Sequence, residues 1–352
     1  MVCADVTFVM GDMYLPRNPN PSQFSGRRNA KTDFAFVISR FVIGHLKENM
    51  SLKIMCHRLT IASIIAASMS LAPALAGAAV TLTHIHGLSY SADGARIVIP
   101  SHDGLAVFEN GRWSNAPGPK HDYMGFASTR DAIYSSGHPA PGSGLTNPFG
   151  LIKSSDGGKS WKKLGLEGES DFHLLATSYT TNAVYVVNHG ENSRMKQPGI
   201  FFTKNDGLQW RKAAATGLAS EPKALAVHPT DSHMVAAGAS DGLYLSKDSA
   251  ENFELLFSVA QVLAATFGLD GKHLWFSSYS EKPAFMRIAL TPGAAPQTLK
   301  IPTLQEDAVA YIAQNPVKRD ELTIATFKRS VFVSKDAGRT WKTIAQGGKT
   351  IE

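Results

Sequence analysis

The chain has 352 residues, 35 of them basic and 29 acidic, with a formal net charge of +6 and two cysteines. Eight of the basic residues, four of the acidic ones and both cysteines fall within residues 1–76, so the remainder has a net charge near +2 and no cysteine. That small charge argues against nucleic acid as a partner. A cysteine-free chain suits an oxidising compartment, and a remainder of this size is ample for a buried core.

An apolar stretch at residues 59–76 follows two basic residues and ends in Ala74-Leu-Ala76. Basic residues, a short apolar run and a small-x-small site are typical of a secretory signal peptide. We therefore predict a signal peptide over residues 50–76, a periplasmic or secreted location, and no transmembrane segment after cleavage. Residues 1–49 are polar and mixed, and would precede a signal that normally lies at the extreme N-terminus. We interpret them as lying upstream of the true start site, with a genuine extension as the alternative.

Four later segments are versions of one turn with the pattern S-x-D-x-G-x-T-W, beginning at Ser154, Thr203, Ser246 and Ser334. The starts are 49, 43 and 88 residues apart, and 88 is twice 44, so a repeat of about 44 residues runs through the sequence. That period is typical of one four-stranded propeller blade. Six repeats account for nearly all of residues 77–352. We predict an all-β, six-bladed β-propeller with Asp-box turns, and a seven-bladed ring is the less favoured count.

The boxes contain the parts of a tight turn, although the third box lacks the glycine. An acidic or amide side chain can accept hydrogen bonds from the N–H groups of the loop: Asp156, Asn205, Asp248 and Asp336. A glycine can take the positive φ that other residues adopt at a cost, at positions 158, 207 and 338. A large apolar residue closes the turn: Trp161, Trp210, Phe253 and Trp341. We expect Trp161→Ala or Trp341→Ala to cost about 3–5 kcal/mol of stability, and Phe253→Ala, in the eroded third box, to cost less.

Strand-like runs between the boxes place the blades at about residues 85–113, 123–164, 172–212, 224–257, 262–301 and 309–344. Closing the ring leaves no long sheet edge exposed. The segment Val80–Thr83 is positioned to complete the last blade by pairing with the C-terminal strands.

The blade alignment also assigns each polar residue to a face of the ring. Turns between the second and third strands share one face with the links between blades, and the box turns lie on the other. Ten histidines follow residue 76, and seven of them fall on the face without boxes: His84, His86, His102, His121, His138, His173 and His189. The other three, His228, His233 and His273, fall on the box side. Three successive blades thus direct imidazoles toward one mouth.

Several of these histidines have the spacing and the neighbours of metal ligands. His84 and His86 are two residues apart in an extended segment and leave the same face. Imidazole is a common metal donor, and a carboxylate beside it can be a ligand or can orient the ring. We predict His84, His86, His121 and His173 as ligands of zinc or copper(II), with solvated loop histidines as the alternative. We further predict that a small polar ligand or glycan contacts His102, Asp103, His138, His189 and Arg194.

The boxes resemble those of the BNR/Asp-box propellers, which include sialidases, sortilin-type receptors and photosystem assembly factors. The segments His84–Gly87, His121–Gly125 and Gly137–Gly144 are similar to those of exported bacterial propellers labelled glycosyl hydrolases. The resemblance covers nearly all of the chain after the predicted signal and implies the fold far more strongly than any activity. A sialidase needs three arginines around its substrate carboxylate, and we place only Arg194 and Arg329 on the face without boxes.

Three classes of function stay open. The first is an exported binding protein with a metal ion or a small polar ligand at the histidine-rich mouth. The second is a glycoside hydrolase that draws its paired carboxylates from Asp122, Asp171, Glu281 and Glu306. The third is a protein-interaction scaffold or assembly factor. Converging imidazoles would favour the first class and a pair of carboxylates across an open cleft the second. We favour binding.

Overall fold

The computed structural model describes residues 80–352. The predicted extension (1–49) and signal peptide (50–76) lie outside these residues, as does the predicted boundary at residue 77. Within the described range the regular secondary structure consists of β-strands, without a helix. Six antiparallel sheets form a six-bladed β-propeller, which confirms the predicted fold class. Between residues 80 and 352 there is no helix with the length and hydrophobicity needed to span a membrane.

Each sheet is a meander whose strands pair in chain order, and the six sheets coincide with the six predicted repeats. The first two blades consist of Ser89–Tyr90 (β1), Arg96–Ser101 (β2), Gly104–Glu109 (β3), Arg112–Asn115 (β4), Asp122–Ser128 (β5), Ile133–His138 (β6), Leu151–Ser154 (β7) and Lys162–Gly165 (β8). The next two consist of Leu175–Thr177 (β9), Val184–Asn188 (β10), Gly199–Thr203 (β11), Arg211–Lys212 (β12), Ala224–Val227 (β13), Val235–Gly238 (β14), Gly242–Ser246 (β15) and Glu254–Ser258 (β16). The last two consist of Val262–Phe267 (β17), His273–Tyr279 (β18), Pro283–Ala289 (β19), Gln297–Leu299 (β20), Val309–Gln314 (β21), Leu322–Thr326 (β22), Val331–Ser334 (β23), Lys342–Gln346 (β24) and Lys349–Thr350 (β25).

The core lies between the sheets. Six apolar clusters each join two successive sheets, and one of them joins the sixth sheet to the first. Inner strands such as β10 are buried at every residue because both faces of the sheet pack against a neighbour. Burial of apolar surface between the blades therefore closes the ring.

Residues 80–83 pair with residues 348–350 where the ring closes, and we call these two segments the clasp. Thr81 forms a β-bridge with Lys349, and the N–H of Leu82 donates to the carbonyl of Gly348 at 2.8 Å. The hydroxyl of Thr350 donates to the carbonyl of Val80 at 2.7 Å. The predicted pairing of Val80–Thr83 with the C-terminal strands is confirmed. The clasp also delivers the next residues of the chain to the face without boxes, since the following strand, β1, starts there.

All four box turns share one hydrogen-bond pattern, as predicted. The Oδ1 atom of the third residue accepts from the N–H four positions later, at 3.0, 3.0, 2.9 and 2.8 Å in Asp156, Asn205, Asp248 and Asp336. The hydroxyl of the first residue accepts from the N–H at the fifth position, at 2.8 to 3.0 Å. The predicted positive φ is present at Gly158, Gly207 and Gly338. Hydrogen bonds lower the pKa of each box aspartate to about 2. The largest contributions come from the side chains four positions later: Ser160, Asn252 and Thr340.

The burial of the box aromatics differs from the expectation. Phe253, in the eroded box, is only 5% exposed and belongs to the core between the third and fourth blades. Trp161, Trp210 and Trp341 are partly buried and pack against the edges of their clusters. These burials favour the reverse of the expected order of destabilisation, because the burial of an aromatic residue depends on the neighbouring blade rather than on how well its own box fits the pattern.

Candidate functional site

The order of the strands puts the β2–β3 turn, the segment before β1 and the links between blades at one face, opposite the box turns. Three histidines meet there: His84 and His86, directly after the clasp, and His102, in the β2–β3 turn. Their ring centroids are 4.5 to 5.3 Å apart. One ring nitrogen from each lies within 4.8 Å of the others. His84 and His102 are exposed, whereas His86 lies deeper.

A carboxylate from the next blade completes this group. Asp122, the first residue of β5, accepts a hydrogen bond from Nδ1 of His102 at 2.7 Å through its Oδ2 atom. Its other oxygen, Oδ1, lies 4.0 Å from Nε2 of His86. Both of these atoms are buried, and neither has a hydrogen-bond partner among residues 80–352. Buried polar atoms nearly always have partners, so this pair is a chemically unusual feature of the face. We call His84, His86, His102 and Asp122 the histidine cluster.

The surroundings favour the neutral form of His84 and His86. Burial, together with the neighbouring rings of His102 and His84, lowers the pKa of His86 to about 3. Burial also lowers the pKa of His84, with smaller contributions from His102 and from the positive charge of Arg329. A neutral imidazole has a lone pair available for a metal ion, and an imidazolium does not.

A second polar group adjoins the cluster. Asp171 Oδ2 contacts Nε2 of His138 at 3.1 Å and Nε2 of His173 at 2.8 Å. Its other oxygen is buried and has no hydrogen-bond partner in the described chain. Phe172 positions this group, because its ring is buried and its backbone is held by Ser136 and Gly125, so that Asp171 and His173 flank an anchored residue. We call His138, Asp171 and His173 the Asp171 group.

The Asp171 group carries charge. The hydrogen bond to Asp171 raises the pKa of His138 to about 9 against the opposing effect of burial, and Asn147 adds to the rise. Burial raises the pKa of Asp171, but hydrogen bonds from His138 and His173 outweigh it and hold that pKa well below the ordinary carboxyl value. The electrostatic influence of Asp171 and His173 reaches His86. His138 is therefore an imidazolium at neutral pH.

We expect His138→Gln to lower the melting temperature near pH 6 by about 2 °C, and to have less effect near pH 10. The pKa of His138 is raised above its ordinary value of 6.5, so the stabilisation is complete below 6.5 and is lost as the pH rises through about 9. Part of the side chain is exposed, and solvent screening keeps the effect small. Thermal unfolding of both proteins at the two pH values measures it. An effect that grew toward high pH would contradict the assignment of charge.

His121 does not join the cluster. It is 4% exposed, its ring packs against Tyr123 and Phe149, and its Nδ1 atom accepts from the N–H of Ala140 at 2.9 Å. Side chains alternate along a strand, so His121 shares a face with the buried Tyr123, and Asp122 points the other way. That alternation was available in the sequence. His173 lies in the Asp171 group instead of beside His84.

The other residues that we predicted to contact a ligand do not lie together. His102 is part of the cluster, and Asp103 accepts from the hydroxyl of Thr83 at 3.4 Å. His189 pairs with Glu221 at 3.1 Å, both largely exposed. The guanidinium of Arg194 donates to the carbonyl of Gly207, within the second box, so its hydrogen bond leads away from the histidines.

The four candidate carboxylates also separate. Asp122 and Asp171 have histidine partners, as described above. Glu281 is exposed in the β18–β19 turn, and Glu306 is 91% exposed and lies 3.6 Å from Lys328.

The box-side histidines have other partners. His228 is close to the carbonyl of Gly271 at 3.1 Å, and His233 contacts Lys204, in the second box, at 3.1 Å.

The segment that follows His138 is anchored at several points. Ala140 is bound by His121, the N–H of Phe149 donates to the carbonyl of Gly137 at 3.0 Å, and Phe149 is fully buried. Asn147 binds Nδ1 of His138 at 2.7 Å. These contacts favour a rigid surface connection between β6 and β7.

Comparison with known proteins supports the fold but no particular activity or ligand. No family model matches the chain, and no curated protein matches it. The GH74 enzyme of Niastella koreensis aligns with a TM-score of 0.54 and 14% identity over 76% of this chain and 46% of its own. The GH74 xyloglucanase of Xanthomonas campestris gives 0.48 and 15% over 76% and 46%. A chain of the nidogen/laminin complex gives 0.51 and 14% over 70% and 92%.

This chain therefore spans less than half the length of the two GH74 structures. At such low identity the likeness shows the fold alone. The fold and the comparisons together define the class of the protein, a β-propeller with a polar cluster on the face opposite its box turns.

Proposed function

We propose that the chain is an exported propeller of the BNR/Asp-box type that binds a divalent metal ion, zinc or copper(II), at the histidine cluster. The shared hydrogen bonds of the four box turns support the propeller type. One observation carries the metal site. Ring nitrogens of His84, His86 and His102 lie within 4.8 Å of one another. At the same place Nε2 of His86 and Oδ1 of Asp122 are buried and have no hydrogen-bond partner within residues 80–352.

The hydrogen bond between Asp122 and His102 supports this proposal. A carboxylate that accepts from one ring nitrogen fixes the tautomer and leaves the lone pair on the other nitrogen, an arrangement typical of metal-binding histidines. Here Nδ1 of His102 donates a hydrogen bond to Asp122, so the lone pair of His102 that can bind a metal ion is on Nε2. His84 and His102 are exposed, and their rings can adjust to the bond lengths of about 2.0–2.1 Å that zinc requires.

The donor set also fits the proposed compartment. Both cysteines precede residue 77, so a protein cleaved at the predicted site would contain no thiolate. Imidazole and carboxylate donors suit zinc and copper(II), and neither needs a reducing environment.

The carboxylates favour binding over glycoside hydrolysis. A hydrolase needs one carboxylic acid with a raised pKa to protonate the leaving group. The pKa of Asp171 is held below the ordinary value by its two histidines, which is the opposite direction. Asp122 is engaged by His102, and Glu306 is almost fully exposed.

Metal analysis tests the proposal. Protein purified without a His tag from the periplasm should contain zinc or copper by elemental analysis. After treatment with a chelator, isothermal titration with either ion should give one site per chain. Absence of both metals from the purified protein, combined with no heat of binding from either ion, would refute the metal site.

Asp122→Asn should lower metal affinity by about 10–100-fold, the usual cost of changing a partner that orients a metal-binding histidine. The amide keeps the size of the side chain but removes the charge that holds Nδ1 of His102 and faces Nε2 of His86. Asp103→Asn is the matched control, because Asp103 is an exposed neighbour whose hydrogen bond is to Thr83. Isothermal titration with zinc compares the two. Equal losses in both variants would exclude a specific role for Asp122.

A further inference from the structure

An arginine stands beside the histidine cluster in an unfavourable backbone conformation. Arg329, in the turn between β22 and β23, has a φ of 63°, in the left-handed region that side chains other than glycine rarely adopt. In the corresponding turn of the first blade, between β2 and β3, the positive φ falls on a glycine, Gly104.

The side chain of Arg329 is fixed in place. Its Nη1 atom donates to the carbonyl of Thr83 at 3.0 Å, and Thr83 immediately precedes His84. Its backbone carbonyl accepts from the N–H of Gly348 at 2.9 Å, within the clasp. One nitrogen is thus committed to the backbone, and the guanidinium has further N–H donors.

A bound metal ion would put two positive charges beside this guanidinium. The three imidazoles of the cluster contribute no negative charge, and Asp122 is its one carboxylate. The metal-loaded face would therefore attract an anion, and a metal held by protein side chains on one side keeps a position for an external ligand.

We infer that the metal-loaded histidine cluster binds a small carboxylate anion, with one oxygen on the metal ion and the other on the guanidinium of Arg329. The inference rests on the proposed function. The guanidinium of arginine stays charged and donates charge-assisted hydrogen bonds, which suits it to hold the carboxylate oxygen that is not on the metal ion. Phe327, in the same turn, is 49% exposed, and such a ring favours an organic acid with an apolar group over inorganic phosphate.

Benzoate is the probe that tests this. Wild-type protein loaded with one equivalent of copper(II) should show a saturable change in its visible absorption band as benzoate is added. Arg329→Gln should weaken benzoate by about 10-fold or more, because it removes a charge-assisted hydrogen bond. Lys328→Gln is the matched control, since the Lys328 ammonium is held by the carbonyl of Gln305 and by Glu306. That variant should bind benzoate like wild type.

Two further measurements separate the outcomes. The copper(II) affinity of each variant is measured without benzoate, and its melting temperature confirms folding. Failure of wild type to bind either copper(II) or zinc would refute the proposed metal site itself. Normal copper(II) binding with equal benzoate affinities in Arg329→Gln and Lys328→Gln would overturn the anion site alone. Tighter binding of inorganic phosphate than of benzoate would overturn the assignment to carboxylates.

Discussion

His86→Ala is expected to weaken zinc and copper(II) binding by at least about 100-fold, more than the loss from a partner that only orients a ligand. His86 is the innermost of the three imidazoles, and its low pKa of about 3 keeps its lone pair free at neutral pH. Its Nε2 atom faces Oδ1 of Asp122 at 4.0 Å. Loss of the ring removes the donor that brings His84, His102 and Asp122 around one point.

The control for His86→Ala is His233→Ala. His233 is an exposed histidine on the box side that pairs with Asp231 and Lys204, so its loss removes an imidazole without touching the cluster. His228 is a poorer control, because it is buried and accepts from the N–H of Asp231 at 3.1 Å. Isothermal titration with both metals should show wild-type affinity for His233→Ala. Equal affinities in the two variants would leave the cluster as ordinary surface histidines.

Phe253→Ala is expected to destabilise the propeller by about 3–5 kcal/mol, the usual cost of removing a buried aromatic side chain. Phe253 is packed between the third and fourth blades. Its N–H donates to the carbonyl of Thr216 at 2.8 Å, so the surrounding backbone is tied to the preceding link and cannot collapse freely into the space. Denaturant midpoints, with the slope checked for two-state behaviour, measure the loss.

Trp341→Ala provides the comparison for Phe253→Ala. Trp341 closes a box that fits the pattern better, yet it is partly buried and loses fewer contacts on truncation. Its Nε1 atom donates to the carbonyl of Lys300 at 2.7 Å, in an exposed setting where water can replace it. We expect the smaller loss for Trp341→Ala. A larger loss than for Phe253→Ala would show that box quality, rather than burial between blades, governs stability. Copper(II) binding at the opposite face should survive in either variant.

The candidate site was only partly predictable. His84 and His86 were recognisable together because they are two residues apart and leave one face of an extended segment. The same alternation excludes His121, which shares its face with the buried Tyr123, and selects Asp122 in its place. His102 could be assigned to the correct face but not to the cluster, since its distance from His86 depends on how the β2–β3 turn packs beside the segment after the clasp.

The sequence by itself determined the six blades, the box turns and the pairing of Val80–Thr83 with the C-terminal strands. The blades and the box turns follow from a repeat of about 44 residues and from hydrogen bonds between residues two to four positions apart, which depend little on the rest of the molecule. The pairing was predictable because a closed ring leaves no long sheet edge free. Tertiary structure alone decided that Phe253 is the buried box aromatic, that Asp122 meets His102, and that Arg329 reaches the carbonyl of Thr83, 246 residues away. Each of these depends on how neighbouring blades pack or on closure of the ring, which brings together side chains that no local pattern relates.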